Sequence, residues 1–276
     1  MHDPFVFLNG EFIPSARATL QVSDLSIQRG YGIFDFMKTL DNTPVFADEH
    51  LERFMHSARQ LRLDAGLSKQ NLHNTINKLI EINNMPLSGI KLTLTGGYSP
   101  DGYTLSKPNL IVTQSAIQLP GADVYEKGIL LVSYPHLRQM PDTKTIDYLM
   151  AVWLQPYIKE HNADDVLYHR DGLISECPRS NFFIVTKRDV IVTPAENILK
   201  GVIRGKVLEL AGRQFEVEER VVTLDEVFDA REAFITSTTK HALPVVEVDG
   251  RRIGSGSPGR VSAWFNEALL HRVKNP

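Results

Sequence analysis

The first half of the chain alternates between short apolar runs and amphipathic stretches. Residues 5–8 and 11–13 are mostly apolar and flank Asn9-Gly10. This dipeptide accepts positive φ at both turn positions, which predicts a tight hairpin. Apolar residues then recur at helical spacing over 48–63, with Asp48 as the expected N-cap. The same patterns predict a helix over 71–82, strands over 90–95 and 109–117, and an irregular glycine-rich loop over 96–103.

The segment Gln118-Leu119-Pro120-Gly121 interrupts this pattern and is the predicted domain boundary. We expect an N-terminal α/β domain over 1–117, a linker over 118–122 and a larger, β-rich C-terminal domain over 123–276. Strands and helices mix without strict alternation, which favours an α+β fold over a doubly wound sheet. The elements predicted after the boundary are a strand over 129–134, a helix from about Thr145, a hairpin over 166–174, strands over 182–185, 190–193 and 233–236, helices over 202–213, near 224 and after 258, and a hairpin around 249–250.

Composition narrows the class of protein but not its chemistry. The 276 residues suit two domains, and 42% apolar with 23% charged residues is typical of a globular protein. A formal net charge of −3 without a basic stripe argues against a nucleic-acid surface. Cys177 is the only cysteine, and the nine histidines lack zinc-site spacing, so we expect neither a disulfide nor a metal. No signal peptide or membrane-length apolar run is evident, which predicts a soluble cytoplasmic protein with no membrane partner.

Several segments carry residues that could do chemistry. Lys144 precedes a predicted helix, and Glu176 follows a hairpin strand; each alone is typical of a solvated surface charge. Residues 199–204 open a helix, whose first backbone N–H groups can bind an anion. Residues 236–239 supply clustered hydroxyls after a strand. Arg53 lies off the apolar stripe of its helix, so periodicity predicts that it faces solvent.

Taken together and in this order, these segments resemble the class IV, or fold-type IV, pyridoxal-phosphate enzymes. That family includes D-amino-acid aminotransferase, branched-chain aminotransferase and aminodeoxychorismate lyase. The likeness covers nearly the whole chain and is closest to D-amino-acid aminotransferase, as in Ser180-Asn181-Phe182-Phe183. It implies a two-domain fold, a homodimer and a cofactor near the domain junction. The segments that carry it are 29–34, 49–53, those around Lys144 and Glu176, 199–204 and 236–239.

The resemblance implies a role for each matched residue. Lys144 would form the Schiff base with pyridoxal 5'-phosphate and then move the substrate proton, and Glu176 would face the pyridine nitrogen. Leu199 would pack on the ring, and Tyr148 would touch the lysine or the ring oxygen. The phosphate would bind Arg53, the backbone N–H groups of Val202 and Ile203, and Ser237, Thr238 and Thr239, while Ser180 and Asn181 complete the implied cofactor-binding set.

Substrate recognition is where the chain departs from the pattern. D-amino-acid aminotransferases carry an arginine in a Thr-Arg-Gly turn, whereas this chain has Thr95-Gly96-Gly97. An unpaired carboxylate in a closed pocket is costly, so another cation should meet it. We expect Arg29 and Lys91 to bind the substrate carboxylate. The predicted substrate-binding set is Arg29, Tyr31, Phe34 and Lys91.

The leading hypothesis is an aminotransferase that exchanges an amino group between a small amino acid and a 2-oxo acid by a ping-pong mechanism. We expect a D-amino acid such as D-alanine or D-glutamate, with 2-oxoglutarate or pyruvate as acceptor. The alternatives are a branched-chain L-amino-acid aminotransferase, an aminodeoxychorismate lyase, and an inactive relative that serves as a binding module. Asp35 stands where the lyase branch often has threonine, which favours transamination.

Overall fold

The predicted hairpin opens the structure, a computed structural model that describes residues 3–212 and 214–274. Strand β1 (Phe5–Leu8) pairs antiparallel with β2 (Glu11–Pro14). Asn9 and Gly10 turn between them with φ of 50° and 107°. This left-handed backbone is what the Asn-Gly dipeptide tolerates, so local turn chemistry determined the element.

The chain divides into two compact units. The first contains Met1–Gln118 and Thr143–Asp147, and the second contains Leu119–Asp142 and Tyr148–Pro276. The sequence-based division differs at 143–147, which it assigned to the second domain. In the structure this short segment groups with the first unit.

An antiparallel sheet forms the framework of the first unit. Besides β1 and β2 its strands are β3 (Gly32–Leu40), β4 (Thr43–Pro44), β5 (Ser88–Thr95) and β6 (Leu110–Ala116). In the described part of that unit the order is β2-β1-β6-β5-β3-β4. Strand β3, next to the short edge strand β4, pairs with β5 from Gly32↔Thr95 to Thr39↔Ser88. Sequence patterning missed β3, because its buried positions include Asp35 and Lys38 and do not alternate cleanly with polar ones.

The helices of the first unit are α1 (Leu25–Arg29), α2 (Ala47–Gln60) and α3 (Lys69–Asn83). Helix α2 packs against β3, and α3 packs against β1 and β6. Leu51 and Phe54 of α2 are fully buried and belong to one core cluster with Ile33 of β3. The prediction of Asp48 as N-cap is wrong: α2 begins at Ala47 and Phe46 occupies the cap position. Asp48 lies in the first turn, where its negative charge suits the helix dipole.

The segment 143–147 lies along an edge of β3. Phe34 N donates to Lys144 O at 2.9 Å and Ile146 N donates to Gly32 O at 3.0 Å, while Thr145 forms an isolated bridge with Ile33. The prediction of a helix from about Thr145 is therefore wrong, and the helix begins at Leu149. Pairing with a strand far away in sequence overrides the local propensity here.

A larger sheet forms the framework of the second unit. Its described strands are β7 (Ile129–Pro135), β8 (Asp165–Arg170), β9 (Leu173–Ile174), β10 (Glu176–Cys177), β11 (Ser180–Val185), β12 (Ile191–Thr193), β13 (Val217–Glu219), β14 (Glu232–Ser237), β15 (His241–Val248) and β16 (Arg251–Arg252). They run in the order β13-β12-β11-β14-β15-β7-β8-β9, with β10 on β11 and β16 on β15. Most pairs are antiparallel, but β12–β13, β15–β7 and β7–β8 are parallel.

The helices of the second unit are interspersed among these strands, so the predicted α+β mixture is confirmed. They are α4 (Ala122–Lys127), α5 (Leu149–Trp153), α6 (Gln155–Glu160), α7 (Val202–Ala211), α8 (Leu224–Asp229) and α9 (Arg260–Lys274). Helix α7 packs against β14. Within the described residues, none of these helices combines the length and apolarity that crossing a bilayer requires.

Candidate active site

Lys144 is held by its backbone from two directions. Its carbonyl accepts from Phe34 N of β3, and its own N–H donates to Ser57 Oγ of α2 at 3.1 Å. Thr143, immediately before it, is fully buried. The lysine is therefore fixed to rigid elements although it lies in an extended segment, which is what a reacting amine requires.

Two ammonium groups lie close to the Phe34 ring. Lys144 Nζ lies 4.6 Å from the ring centroid, and Lys91 Nζ on β5 lies 5.2 Å from the same centroid. The negative face of an aromatic ring attracts such cations. Of the four predicted substrate-binding residues, the structure thus brings Phe34 and Lys91 together beside Lys144.

The other two predicted substrate-binding residues have different surroundings. Arg29 is the exposed last residue of α1, and its Nη1 donates to Gln28 O at 3.0 Å. The Tyr31 hydroxyl donates to Leu61 O at 2.7 Å. Tyr31 therefore uses its hydroxyl proton within the first unit, whereas Arg29 presents an exposed charge.

Arg53 does not face solvent as its helical position predicted. Its side chain is only 12% exposed, because Nε and Nη2 each donate to the Asp35 carboxylate at 2.8 Å. His50, one turn earlier on α2, also meets Asp35, with Nδ1 2.7 Å from Oδ1. Helical periodicity ignored this partner because Asp35 comes from β3.

In the second unit, Glu176 is fixed by donors on both carboxylate oxygens. Arg138 Nε donates to Oε1 at 2.9 Å, and Arg138 Nη2 lies 2.8 Å from the same oxygen. Asn181 Nδ2 and the Leu199 N–H donate to Oε2 at 3.2 and 3.0 Å. Glu176 is 4% exposed, so these charge-assisted bonds set its orientation in a dry environment.

Asn181 ties the strand to the loop before α7. Besides its bond to Glu176, its Nδ2 donates to Leu199 O at 2.7 Å. A Cβ on Gly201 would stand 2.2 Å from Asn181 Oδ1. Glycine at position 201 therefore allows the loop to approach Asn181 this closely. Glu176, Asn181 and Leu199 form one hydrogen-bonded group.

The start of α7 offers unpaired backbone donors. Gly201 is its N-cap residue, and no side chain in the described part of the chain caps it. The first N–H groups of a helix, here those of Val202 and Ile203, lack intrahelical acceptors and favour an anion. The predicted phosphate-binding backbone is thus in a suitable conformation.

Hydroxyl groups near this helix differ in their surroundings. Thr236 pairs across the sheet with Asn181, which in turn pairs with Glu176, so the three side chains share a face. Thr236 Oγ1 is buried with no partner among the described residues, and so is Ser180 Oγ. Strand alternation places Ser180 on the opposite face from Asn181. Ser237 ends β14, and Thr238 and Thr239 lie in the turn that follows; all three are half-buried.

These features suit an aromatic cofactor that carries a phosphate and reacts with amines. An uncapped helix start and an orphaned buried hydroxyl provide donors for an anion, and a fixed carboxylate can pair with a protonated ring nitrogen. The half-buried Tyr148 occupies the N-cap position of α5. The donors of the second unit therefore fit the phosphate and the ring nitrogen of the cofactor that the motifs imply.

Sequence reasoning missed several residues that contact the predicted ones. His50 was detectable, because it lies three residues before Arg53 on the same helical face. Asp35 was noticed only as a departure from the lyase pattern, and its pairing required the β3–α2 packing. Arg138 lies in an irregular loop 38 residues from Glu176, where no local pattern indicates a partner.

Comparison with known proteins agrees with this chemistry. The family model for amino-transferase class IV matches residues 32–248. The chain therefore belongs to the class IV aminotransferase family, as the motifs predicted, and it is an aminotransferase by that membership.

Two relatives match along nearly their whole length. The D-alanine aminotransferase of Bacillus licheniformis is 28% identical over 274 residues, covering 97% of this chain and 96% of the relative. A protein of Methanocaldococcus jannaschii, provisionally assigned as a branched-chain-amino-acid aminotransferase, is 30% identical over 275 residues, covering 95% and 94%. The relatives thus divide between two substrate classes.

Solved structures confirm the predicted fold-type IV architecture. The branched-chain amino acid aminotransferase of Escherichia coli has a TM-score of 0.91 at 23% identity, covering 98% of this chain and 95% of that one. A hypothetical aminotransferase from Mycobacterium tuberculosis in its PLP-bound form has a TM-score of 0.83 at 21% identity, covering 98% of both chains.

Proposed function

We propose that this class IV aminotransferase uses pyridoxal 5'-phosphate to move an amino group between a small D-amino acid, such as D-alanine or D-glutamate, and 2-oxoglutarate or pyruvate. The observation that carries the proposal is Lys144, a lysine fixed by β3 and α2 with its amine at the Phe34 ring. When bound, the cofactor supplies an electron sink for the pair released from the substrate Cα–H bond.

Each predicted site residue has a part in binding the cofactor under this proposal. Lys144 attaches it and carries the substrate proton, while Glu176 pairs with the ring nitrogen. Leu199 packs on the ring and Tyr148 meets the ring oxygen or the lysine. The phosphate binds Arg53 and the start of α7, with the hydroxyl residues 237–239, and Ser180 and Asn181 support the site.

Substrate recognition rests on cations near Lys144. Lys91 is exposed on β5 and shares the Phe34 ring with Lys144, so it can meet the α-carboxylate of a substrate bound beside Lys144. Arg29 is the second candidate, with Tyr31 and Phe34 shaping the pocket. Lys91→Ala should raise KM for D-alanine about tenfold or more, because a charge-assisted bond is lost, while Lys91→Arg retains the cation. An unchanged KM in Lys91→Ala would refute this role, and Arg29→Ala tests the other cation in the same way.

The proposed function is tested by absorbance and turnover of the full-length chain. Addition of pyridoxal phosphate should give the visible band of a lysine-bound cofactor, which D-alanine bleaches. Lys144→Ala should lose the band, whereas Lys78→Ala, an exposed lysine of α3 paired with Glu81, should keep it. Absence of a band in the unmodified chain would end the proposal.

A branched-chain L-amino-acid aminotransferase is the second candidate. It is favoured by the Methanocaldococcus jannaschii relative and by Gly96 in place of the turn arginine. Adding D-alanine, L-leucine and L-glutamate one at a time separates the two. Bleaching by the L-amino acids alone would replace the D-specific proposal with this one, and pyruvate release from aminodeoxychorismate would favour the lyase instead.

We also propose a homodimer, supported by an exposed apolar stripe on α5. Leu149, Val152 and Trp153 are 73%, 67% and 61% exposed at i, i+3 and i+4 spacing, so they lie on one helical face. Such stripes mark association surfaces. Sedimentation velocity should give twice the chain mass, and Val152→Glu should shift it toward the monomer; a monomeric unmodified chain would refute the proposal.

A further inference from the structure

A buried charge cluster lies between β3 and α2 of the first unit. Asp35 and His50 are fully buried, and the Arg53 side chain is 12% exposed. The proposed function gives Arg53 a role at the phosphate but assigns nothing to the other two. Their contacts indicate what they do.

Asp35 holds the guanidinium in a two-point fork. Arg53 Nε donates to Oδ2 and Nη2 donates to Oδ1, both at 2.8 Å. Two parallel bonds fix the plane of the guanidinium as well as its distance. These bonds use the Nε proton and one Nη2 proton, and Nη2 also lies 3.2 Å from His50 Nδ1. Nη1 has no partner among the described residues, so its protons are available for an anion.

His50 in turn forms a hydrogen bond with the Asp35 carboxylate. Burial lowers the pKa of His50, although the bond to Asp35 and its charge oppose this, and the charges of Arg53 and Lys144 lower it further. His50 is therefore neutral near pH 7, and its Nδ1–H donates to Asp35 Oδ1 at 2.7 Å. Its Nε2 is buried with no partner among the described residues. The ring thus contributes one directed bond and no charge.

We propose that Asp35 and His50 are positioning residues that hold the Arg53 guanidinium in the orientation that binds the cofactor phosphate. This inference rests on the proposed function, because it assumes that Arg53 meets the phosphate. The opposing interpretation is purely electrostatic. In that case the Asp35 charge repels the phosphate and partly neutralises Arg53, so its removal would tighten binding. The two interpretations predict opposite signs.

The test measures the dissociation constant of inorganic phosphate for the full-length chain freed of cofactor, together with its melting temperature. Phosphate isolates anion binding from attachment at Lys144. Arg53→Ala should weaken binding by about 10- to 100-fold, the range for a lost hydrogen bond between charged groups. Asp35→Asn should weaken it about tenfold, because a free arginine must lose its rotamer freedom on binding. Arg59→Ala removes an exposed positive charge from the same helix and should change binding less than twofold.

Two variants of His50 leave the net charge of the cluster unchanged and differ in whether they keep the hydrogen-bond donor. They keep the inference testable if Asp35→Asn does not fold. His50→Asn retains an N–H near the Nδ1 position and should bind phosphate within about twofold of the unmodified chain. His50→Leu loses the donor and should bind at least about threefold more weakly. A structural role alone would lower the melting temperature of the variants without this difference in affinity.

The outcomes distinguish failure of the proposed phosphate-binding role of Arg53 from failure of the positioning role of Asp35 and His50. If Arg53→Ala leaves phosphate affinity unchanged, the role of Arg53 in the proposed function fails. If Arg53→Ala weakens binding but His50→Leu equals His50→Asn, or Asp35→Asn binds more tightly, only the positioning inference fails. Weaker binding in Asp35→Asn and His50→Leu, with rescue in His50→Asn, supports it.

Discussion

Replacing Thr236 with valine should stabilise the cofactor-free protein and weaken its affinity for pyridoxal phosphate. Thr236 is 2% exposed, and its Oγ1 has no hydrogen-bond partner among the described residues. It shares a sheet face with Glu176 and Asn181. A hydroxyl left unsatisfied in the protein interior is costly unless a ligand completes its bonding.

The magnitudes follow from that burial. An unpaired buried hydroxyl costs about 1–3 kcal/mol in mutational data, so a valine of nearly the same shape should raise the unfolding free energy by about 1 kcal/mol. That corresponds to a rise in melting temperature of about 2–4 °C for a chain of this size. If the hydroxyl donates to the phosphate, its loss should raise the cofactor dissociation constant by about tenfold or more.

Thr193 gives the matched control. It is also fully buried in the second unit, but its Oγ1 donates to Phe182 O at 2.8 Å. Thr193→Val leaves that carbonyl without its partner and should lower the unfolding free energy by about 1 kcal/mol or more. The same substitution in two strands should therefore change stability in opposite directions.

The assay is thermal unfolding of both variants without cofactor, followed by equilibrium titration with pyridoxal phosphate. Saturating cofactor should raise the melting temperature of Thr236→Val less than that of the unmodified chain, because ligand stabilisation falls as the dissociation constant rises. If Thr236→Val loses stability as Thr193→Val does, its hydroxyl is already satisfied. If its affinity is unchanged, the hydroxyl does not serve the cofactor.

Three further predictions concern single residues. Burial alone would raise the pKa of Asp35, but Arg53 and His50 hold it well below its usual value. The unmodified chain should therefore have a higher free energy of unfolding in denaturant than Asp35→Asn. This difference should be constant from about pH 5 to 8 and should decline as the pH falls below about 4, where the unfolded chain binds a proton at Asp35 before the folded chain does. A constant difference down to pH 2 would contradict this. Burial raises the pKa of the Cys177 thiol, so a disulfide reagent should modify it only after denaturation, and rapid labelling of the native chain would refute the buried position. Gly201→Ala should displace Asn181, whose Oδ1 would lie 2.2 Å from the new Cβ, and should weaken cofactor binding in a titration; unchanged affinity would show that the loop relaxes at little cost.

The elements that the sequence predicted correctly are those set by local chemistry. The Asn9-Gly10 hairpin needs only two residues that tolerate positive φ, and α3 needs an apolar stripe with Ser68 as its cap. The errors involve non-local pairing. Thr145 joins the edge of β3, and β3 itself mixes charged and apolar residues at buried positions. Neither can be inferred from periodicity, because the deciding partner is far away in sequence.

The residues of the candidate site likewise fall into those that motifs identify and those that only the fold reveals. Lys144, Glu176 and Arg53 were named from motifs, and their roles stay predictions until binding is measured. Their partners could not be derived from one sequence, since Asp35 and Arg138 reach them only through tertiary packing. Motif resemblance identifies reactive groups, whereas the residues that orient those groups become visible only in the fold.

The placement of Lys91 sharpens the question of substrate choice. An arginine in the turn after β5 would recognise a carboxylate from a loop, but this chain has Gly96 there and presents Lys91 from within β5. Antiparallel register places Lys91 opposite Phe36, two positions along β3 from Phe34, on the same face of the sheet. A cation on a central strand is held more rigidly than one on a loop, so its distance from the Lys144 amine varies less. A fixed distance between that cation and the Lys144 amine selects the spacing of amine and carboxylate in an α-amino acid. D- and L-amino acids share this spacing, so the chirality must be decided by the groups that contact the other substituents of Cα.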